Sequence, residues 1–260
     1  MKKILICSAL VFTTSIAFAE DDDDDNSKVD ELIQELFLSE IVYPQDANEW
    51  QITSGVHWIE DNAEEEEDEE EGGQRTYFTT PVLIEYGITD AFQIGVTIPT
   101  QYGGNARVTG VGNIELESLY NFYSSKESGW AFSAAFGVSF PRLSNEVGEK
   151  GFVFEPTLIG YKSFGEFALN LSAGVAIPTE SENNTEVEIG AAAIYNAGFI
   201  RPSVEFSADF EDGEPKYSIL AGTTILLGNE IELGLGVAKG LNNESPEWQA
   251  FSNLIWEFEI

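Results

Sequence analysis

The chain has 260 residues, of which 46 are acidic and only 12 are Lys or Arg, so its net charge at neutral pH is −34. This balance excludes a nucleic-acid-binding protein, because phosphate-rich partners require a basic surface. An acidic excess of this kind is more typical of a solubility or salt adaptation than of a specific polyanion function. The chain contains one cysteine, Cys7, so a fold held by disulfides is excluded too.

Residues 1–19, "MKKILICSALVFTTSIAFA", have the pattern of a signal peptide. Lys2 and Lys3 precede an apolar run, and Ala17-Phe18-Ala19 is the small-x-small pattern that signal peptidase recognises. We therefore predict that the mature protein begins at Glu20, outside the inner membrane of a bacterial-type cell.

Residues 20–48 are predicted to form an acidic tail followed by a short helix. Residues 20–25 are all acidic and are not expected to fold on their own. In "SKVDELIQELFLSE" the apolar residues recur at helical spacing, which predicts an amphipathic helix of roughly three turns. Two positions remain open for this helix: docked on or inside the main domain, or extending from it into the periplasm.

Residues 49–260 alternate apolar and polar residues with a period of two, which is typical of β-strands. About twelve such segments can be counted. They lie near 50–60, 76–88, 91–102, 111–123, 129–140, 152–163, 167–178, 187–196, 199–210, 216–227, 231–239 and 247–260.

The connections between these segments alternate in length. Tight turns are predicted at Thr89, Ser124, Phe164, Asn196 and Gly228. Longer and more polar loops are predicted at the acidic run after Glu60 and at Gly103, Arg142, Thr179, Glu211 and Asn242. This asymmetry predicts an antiparallel transmembrane β-barrel of the outer membrane, with periplasmic turns, extracellular loops and periplasmic termini. A secreted β-sandwich is the structural alternative.

The two faces of the predicted strands support the barrel. In "AFQIGVTIP" one face carries Phe92, Ile94 and Val96, while the other carries Gln93 and Gly95. Lipid would contact the first face and a polar lumen the second. A sandwich would instead pack large side chains where this chain places small ones.

The inward face of the predicted barrel is rich in carboxylates. The lumen-lining candidates are His57, Glu85, Glu115, Glu117, Glu155, Glu188, Arg201, Glu205, Glu232 and Glu257. If water fills the lumen, this excess favours cations over anions. Alternatively, several of these carboxylates pair with Arg201, with Lys162, or with the hydroxyls of Ser203 and Thr157, and so close the bore.

An enzyme and a cofactor are not expected. Barrel enzymes of the outer membrane generally need a Ser/His or Asp/His arrangement, and the chain has one histidine, His57. Neither a GxSxG motif nor a zinc-type Cys/His cluster accompanies it. We interpret His57 as a hydrogen-bonded residue of the barrel wall.

The acidic run between Glu60 and Glu71 is predicted to be the first extracellular loop. A specific Ca²⁺ site would need spaced ligands and a turn glycine, which an unbroken run does not offer. Weak cation binding, with bridging to lipopolysaccharide phosphates, is the functional alternative to a solvated loop. The residues for it are Glu64, Glu65, Glu66, Glu67, Asp68, Glu69, Glu70 and Glu71.

The C-terminal strand carries a possible assembly signal. In "NLIWEFEI" the residues Leu254, Trp256, Phe258 and Ile260 share one face. An aromatic terminal strand of this kind resembles the signal that the barrel-assembly machinery of outer membranes recognises. The usual last residue is Phe, and Ile260 departs from it.

Four stretches of the chain resemble one family. They are "SEIVYPQDANEWQITSGVHW" from Ser39, "TTPVLIEYGITDAFQIGVTIPTQYGG" from Thr79, "VTGVGNIELESLYNFY" from Val108 and "GWAFSAAFGVSFP" from Gly129. Together they resemble the outer-membrane transporter family named for the meta-pathway of phenol degradation. Asn48 stands where the family commonly has Gly, and Asn113 where it has Asp.

The resemblance implies a barrel that transports small, hydrophobic or aromatic compounds, but its motifs are structural and supply no binding residues. The expected partners are outer-membrane lipids and lipopolysaccharide, the barrel-assembly machinery and a small solute. Two functions therefore stay open: a passive transporter or channel, and a non-conducting structural or interaction barrel of the cell envelope.

Overall fold

The protein is described by a computed structural model over residues 32–33, 35–61, 75–103, 108–143, 147–148, 150–180, 184–211 and 214–259. Fifteen antiparallel strand segments form one sheet in this part of the chain. They are β1 (Glu49–Asp61), β2 (Arg75–Thr79), β3 (Val82–Thr89), β4 (Phe92–Ile98), β5 (Thr100–Gly103), β6 (Val108–Val111), β7 (Glu115–Ser125), β8 (Trp130–Ser139), β9 (Val153–Ser163), β10 (Phe167–Pro178), β11 (Glu186–Tyr195), β12 (Ile200–Glu211), β13 (Glu214–Leu226), β14 (Ile231–Gly240) and β15 (Trp248–Glu259).

The sheet closes on itself. Strand β15 pairs with β1 in a continuous register that runs from Glu49 opposite Glu259 to Glu60 opposite Trp248. Closure gives the backbone donors and acceptors of β1 and β15 partners on both sides, and of the described strand segments only β6 is paired on one side alone, with β5. The described residues contain no helix long and apolar enough to cross a membrane.

The fifteen segments make twelve barrel strands, because three strands are each interrupted once. The interruptions lie between β2 and β3, between β4 and β5, and between β6 and β7. Pro81 and Pro99 stand at the first two, where a proline cannot donate a ladder hydrogen bond. Backbone hydrogen bonds join neighbouring interruptions: the N–H of Gly112 donates to the carbonyl of Pro99 at 2.9 Å. The prediction of about twelve strands is confirmed, whereas the interruptions were not predicted.

The two ends of the barrel differ in their connections. One end, here called the turn rim, holds the connections at 90–91, 126–129, 164–166, 196–199 and 227–230. Gly165 and Gly198 have φ angles of 79° and 82° there, which residues with a Cβ rarely adopt. The other end, the loop rim, holds the connections that follow β1, β5, β8, β10, β12 and β14.

One predicted loop is shorter than expected. The stretch "EDGEP" at Glu211 was predicted as a long loop of the loop rim. In the structure β12 reaches Glu211 and β13 begins at Glu214, and these two residues are paired. The hairpin stays tight because ladder pairing continues almost to its tip.

Side chains alternate between the two faces of the wall. On β10, Leu169 and Leu171 point outward and are 47% and 60% exposed, whereas Asn170 points inward and is 1% exposed. On β15, Trp256 points outward with its ring 4.7 Å from that of Phe258. The barrel therefore has an apolar outer surface and a polar interior, as the sequence pattern predicts.

Residues 32–33 and 35–48, here called the lumen segment, lie inside the barrel. The helix predicted for this region is not formed by its described residues. The physical reason is that side chains of the wall bind its backbone: Phe37 and Leu38 donate their N–H groups to Glu205 instead of to helical carbonyls. The rest of the stretch predicted as a helix, 27–31 and residue 34, lies outside the described residues.

Several other predictions also fall outside the described residues. They are the signal peptide at 1–19, the acidic tail, most of the acidic run with its candidate cation ligands Glu64 to Glu71, and Ile260. These remain predictions.

Candidate functional site in the barrel lumen

Glu205 holds the middle of the lumen segment. Its carboxylate accepts the N–H of Leu38 at 2.7 Å and the N–H of Phe37 at 3.1 Å. Glu205 is 0% exposed and lies on β12. It is 167 residues from Leu38 in the sequence. A carboxylate that accepts two backbone N–H groups makes charge-assisted hydrogen bonds, which are stronger than neutral ones. Glu205 is therefore a structural anchor of the segment.

A second anchor lies near the turn rim and is built around Glu85. Gln45 of the lumen segment donates its N–H to Gln93 at 2.7 Å and its side-chain amide to Gln51 at 2.8 Å. Gln51 and Gln93 in turn donate to the Glu85 carboxylate, at 2.8 Å and 2.5 Å. This carboxylate is thus occupied by wall residues that hold the segment.

Carbonyl groups and rings complete the docking. Asn170 donates to the carbonyl of Glu40 at 2.7 Å, and Ser133 donates to the carbonyl of Val42. The ring of Tyr43 lies 5.6 Å from that of Tyr161 in an edge-to-face arrangement. The wall therefore binds both donor and acceptor groups of the segment.

Glycines of the wall make room for the ring of Phe37. A Cβ at Gly222 would lie 2.6 Å from a carbon of this ring, and one at Gly234 would lie 3.2 Å away. The ring also lies 5.8 Å from that of Phe251. The small inward residues that the sequence pattern predicts are used here to accept a side chain of the lumen segment.

An acidic cavity of about 390 Å³ lies between the lumen segment and the loop rim. Eight of its lining residues carry carboxyl groups, and none of them is basic. They are Glu35, Glu40, Glu85, Glu115, Glu117, Glu155, Glu188 and Asp209. Leu36, Phe37, Leu38 and Ile41 of the lumen segment contribute apolar surface to it. A water-filled cavity with this lining attracts cations and repels anions.

Glycines alternate with glutamates along the wall of this cavity. In the strand register Glu85 lies opposite Gly95, which lies opposite Glu117, and the row continues through Gly137 to Glu155. A Cβ on Gly95 would lie 2.7 Å from a carboxylate oxygen of Glu117. The glutamate side chains therefore lie flat across the neighbouring glycines, which keeps the cavity wide.

Two of the eight carboxyl groups, those of Glu35 and Glu40, come from the lumen segment. Enclosure by the barrel, and then the charges of Glu117 and Glu155, raise the pKa of Glu40 to about 7. The side chain of Glu40 is nevertheless open to the cavity, so its proton can exchange with lumen water. Burial, followed by the charge of Glu85, raises the pKa of Glu35 well above its usual range.

The predicted lumen residues outside this cavity also lie on the inner face of the wall. Arg201 pairs with Glu232 at 3.4 Å, and Glu257 is buried on β15. His57 is 3.0 Å from the side-chain oxygen of Asn253. The described residues contain no group of three or more His, Cys, Asp or Glu arranged to hold a metal ion.

Lys162 does not neutralise the lumen, so its predicted pairing with the lumen carboxylates is wrong, whereas the predicted pairing of a carboxylate with Arg201 is formed. It follows the inward-facing Tyr161 on β9 and so faces outward, with its ammonium 5.2 Å from the ring centre of Trp130. A strand alternates its side chains, so Lys162 and the lumen carboxylates are on opposite faces of the wall.

Apart from Glu205 and Glu85, the wall residues that hold the lumen segment were not singled out from the sequence. Gln51, Gln93, Ser133 and Asn170 share the inward face with the predicted glutamates, so alternation gives their orientation but not their role. Asp209 was also missed, although it lies four residues after Glu205 on the same strand and hence on the same face.

Solved structures of outer-membrane barrels share this fold. An outer membrane channel from Pseudomonas putida F1 is 12% identical, covers 86% of this chain and all of its own, and has a TM-score of 0.63. KdgM porin is 9% identical over 80% of this chain and 99% of its own, with a TM-score of 0.56. The β domain of the Bordetella autotransporter BrkA is 10% identical over 80% and 99%, with a TM-score of 0.54. At such identities the likeness shows the fold alone.

No protein-family model and no curated protein sequence matches the chain. The resemblance to the family named for the meta-pathway of phenol degradation therefore stays a prediction. What the structural comparison establishes is a closed β-barrel of the outer-membrane type.

Proposed function

We propose that the protein is a passive outer-membrane channel for small solutes and that its lumen favours cations. The observation that carries this proposal is the cavity of about 390 Å³, which lies inside a closed barrel and is lined by eight carboxyl groups without a basic residue. The fold shared with an outer membrane channel and a porin supports it.

The proposal includes an orientation. In outer-membrane barrels short turns face the periplasm and longer loops face the exterior. The turn rim would then be periplasmic and the loop rim extracellular, with Glu49 and Glu259 both at the periplasmic end. The pattern of residues 1–19 as a signal peptide is consistent with this orientation.

The solute class follows from the lining of the cavity together with the family resemblance. The resemblance implies small hydrophobic or aromatic compounds, whereas the wall of the cavity is acidic. Leu36, Phe37 and Ile41 add apolar surface to the same cavity. A small aromatic or aliphatic amine meets both requirements, because its ammonium suits the carboxylates and its apolar part suits the lumen segment.

Single-channel recording of the refolded protein tests the proposal. We expect a current whose reversal potential in a salt gradient shows preference for K⁺ over Cl⁻. Replacing Glu115, Glu117 and Glu155 together by Gln should reduce that preference, because these three carboxylates line the cavity. Glu244→Gln is the matched control, since this glutamate is exposed at the loop rim. Absence of current at any salt, together with no uptake of small amines by cells, would contradict the proposal.

A non-conducting structural or interaction barrel is the second candidate, and one observation favours it. The lumen segment crosses the interior and is bound to the wall at Glu205 on one side and Gln93 on another. If the segment never leaves, the lumen is closed. A variant that lacks residues 20–48 separates the two candidates. A current through the variant but not through the wild-type protein would favour the structural barrel. Equal currents through both proteins would favour the channel.

A further inference from the structure

The outer surface of the barrel carries an aromatic groove near the turn rim. It is lined by Phe122, Tyr123, Ser128, Trp130 and Phe132 and has a volume of about 500 Å³. Ligand pockets in proteins typically have volumes of about 300–1,000 Å³. Its residues face away from the lumen, so it is separate from the proposed solute pathway.

A β-bulge creates this groove. The register between β7 and β8 shifts between Asn121, opposite Ser133, and Tyr123, opposite Phe132. Phe122 is the extra residue, so two consecutive aromatic side chains point outward instead of one. Phe122 and Tyr123 are 54% and 46% exposed.

The rings of the groove pack against one another and leave their faces accessible. The ring of Phe132 is stacked 5.6 Å from that of Trp130 and 6.4 Å from that of Phe122. The ring of Tyr123 lies 5.9 Å from Phe132. Rings fixed in this way offer a rigid apolar surface, which costs little conformational entropy when a ligand binds.

A cation stands at the edge of the groove. The ammonium of Lys162 lies 5.2 Å from the ring centre of Trp130 and 5.3 Å from that of Phe164. It donates one hydrogen bond, to the carbonyl of Ser128. No described carboxylate forms an ion pair with Lys162, and an ammonium has three donors, so two of them are available to a ligand.

The combination of an apolar groove and a cation identifies the chemistry of the ligand. In a chain with 46 acidic residues and only 12 Lys or Arg, Lys162 places a positive charge at the edge of an apolar groove. We propose that this groove binds one anionic glycerophospholipid, with an acyl chain against the rings of Phe122 and Phe132 and the phosphate against Lys162. Headgroup phosphate is the anion that a lipid-facing lysine meets at the edge of a bilayer.

The lipid site rests on the outer-membrane setting proposed above, but it does not depend on conduction. In that setting the turn rim lies in the periplasmic leaflet. A protein that retains the lipid but passes no current would contradict the channel and support the lipid site. A conducting protein that retains no lipid would support the channel and contradict the lipid site.

Native mass spectrometry with added phosphatidylglycerol or phosphatidylcholine tests the site. We expect the protein to retain one phosphatidylglycerol more tightly than phosphatidylcholine. Lys162→Gln should weaken the binding of phosphatidylglycerol about fivefold, the effect of one lysine near a charged membrane surface. Phe122→Ala should weaken the binding of both lipids, because it removes part of the apolar wall. Unchanged heat-modifiable gel mobility will show that each variant folds.

Lys239 provides the matched control. Its ammonium lies 4.4 Å from the ring centre of Trp248, at the loop rim. This pair has the same chemistry as Lys162 and Trp130 but lies at the opposite end of the barrel. Lys239→Gln should leave the retention of phosphatidylglycerol unchanged. The proposal is overturned if Lys162→Gln and Lys239→Gln have equal effects, if the two lipids are retained equally, or if lipid A displaces phosphatidylglycerol from the wild-type protein.

Discussion

At the scale of single residues, the docking of the lumen segment depends on Glu205. The fully buried carboxylate of this residue accepts two backbone N–H groups from Phe37 and Leu38. Those two groups would otherwise be enclosed in the barrel without a partner. Unpaired buried donors cost about 1–3 kcal/mol each, so one side chain controls much of the stability of the docked segment.

Glu205→Ala should therefore release the lumen segment locally while the barrel stays closed. We expect faster hydrogen exchange at the amides of Phe37 and Leu38, by roughly tenfold or more, since about 1.4 kcal/mol corresponds to a factor of ten. Hydrogen–deuterium exchange with mass spectrometry measures this change. Glu244→Ala at the loop rim is the control. Equal protection in the wild-type protein and in Glu205→Ala would show that the carboxylate does not hold the segment.

Glu40 should make the docking of this segment depend on pH. Its pKa is raised to about 7 in the docked state, against an ordinary value of 4.5, by enclosure and by the charges of Glu117 and Glu155. A raised pKa means that the docked state binds the proton more tightly. The contribution of Glu40 to docking is therefore complete below about pH 4.5 and is lost as the pH rises through about 7.

Conductance measured across this range checks the pH prediction. If release of the segment widens the lumen, the current of the wild-type protein should rise between about pH 5 and pH 8. Glu40→Gln keeps a neutral side chain at every pH and should flatten this rise. A pH profile that is the same in both proteins would exclude Glu40 as the responsible group.

At the scale of elements, the alternation of glutamate and glycine across neighbouring strands determines the width of the acidic cavity. Glu117 on β7 lies across Gly95 on β4, with an oxygen at 2.7 Å from the place of a Cβ. A side chain at the glycine would force the carboxylate into the lumen. The strand register, and not only the number of strands, therefore decides how much space remains.

Gly95→Ala should narrow the cavity and lower the conductance, without opening the barrel. The clash involves the end of a side chain that can move, so we expect a loss of stability of about 1 kcal/mol or more and a smaller current. Gly160→Ala is the control, because Gly160 lies on the outer face near the ring of Phe132. Equal currents for both variants would show that Glu117 can move aside without entering the solute path.

The sequence predicted the strands of the barrel wall better than the lumen segment inside the barrel. Alternation along each strand predicts which face a residue occupies, and it assigned Glu115 and Glu155 to the lumen correctly. The same rule applies to Asp209, which was overlooked. The lumen segment could not be predicted in the same way. Leu32, Ile33 and Leu36 have helical spacing and are indeed buried, but the wall supplies the hydrogen bonds that a helix would otherwise make. The partner Glu205 is 167 residues from Leu38, and no local pattern indicates such a contact.

At the scale of the whole molecule, closure between β1 and β15 should make the barrel resistant to detergent. Each of the twelve barrel strands has two neighbours, so unfolding must break the ladder between two strands before the wall can open. We expect the unboiled protein to migrate faster than the boiled protein in a detergent gel. Replacing Asn253 on β15 by Pro removes a ladder donor opposite Gly55 and should lower the temperature at which the fast band disappears. Identical mobility before and after boiling would contradict the closed barrel.

The contacts of the lumen segment also define an order of events in assembly. The segment precedes β1 in the chain, yet its partners come from β4 at Gln93, β10 at Asn170, β12 at Glu205 and β15 at Phe251. These side chains converge only when the wall is a cylinder. Contacts over such sequence separations form late, because the long intervening loops must be closed first. The lumen segment is synthesised before every strand but can dock fully only after the last strand has joined the wall. Its docking therefore indicates that the barrel is complete.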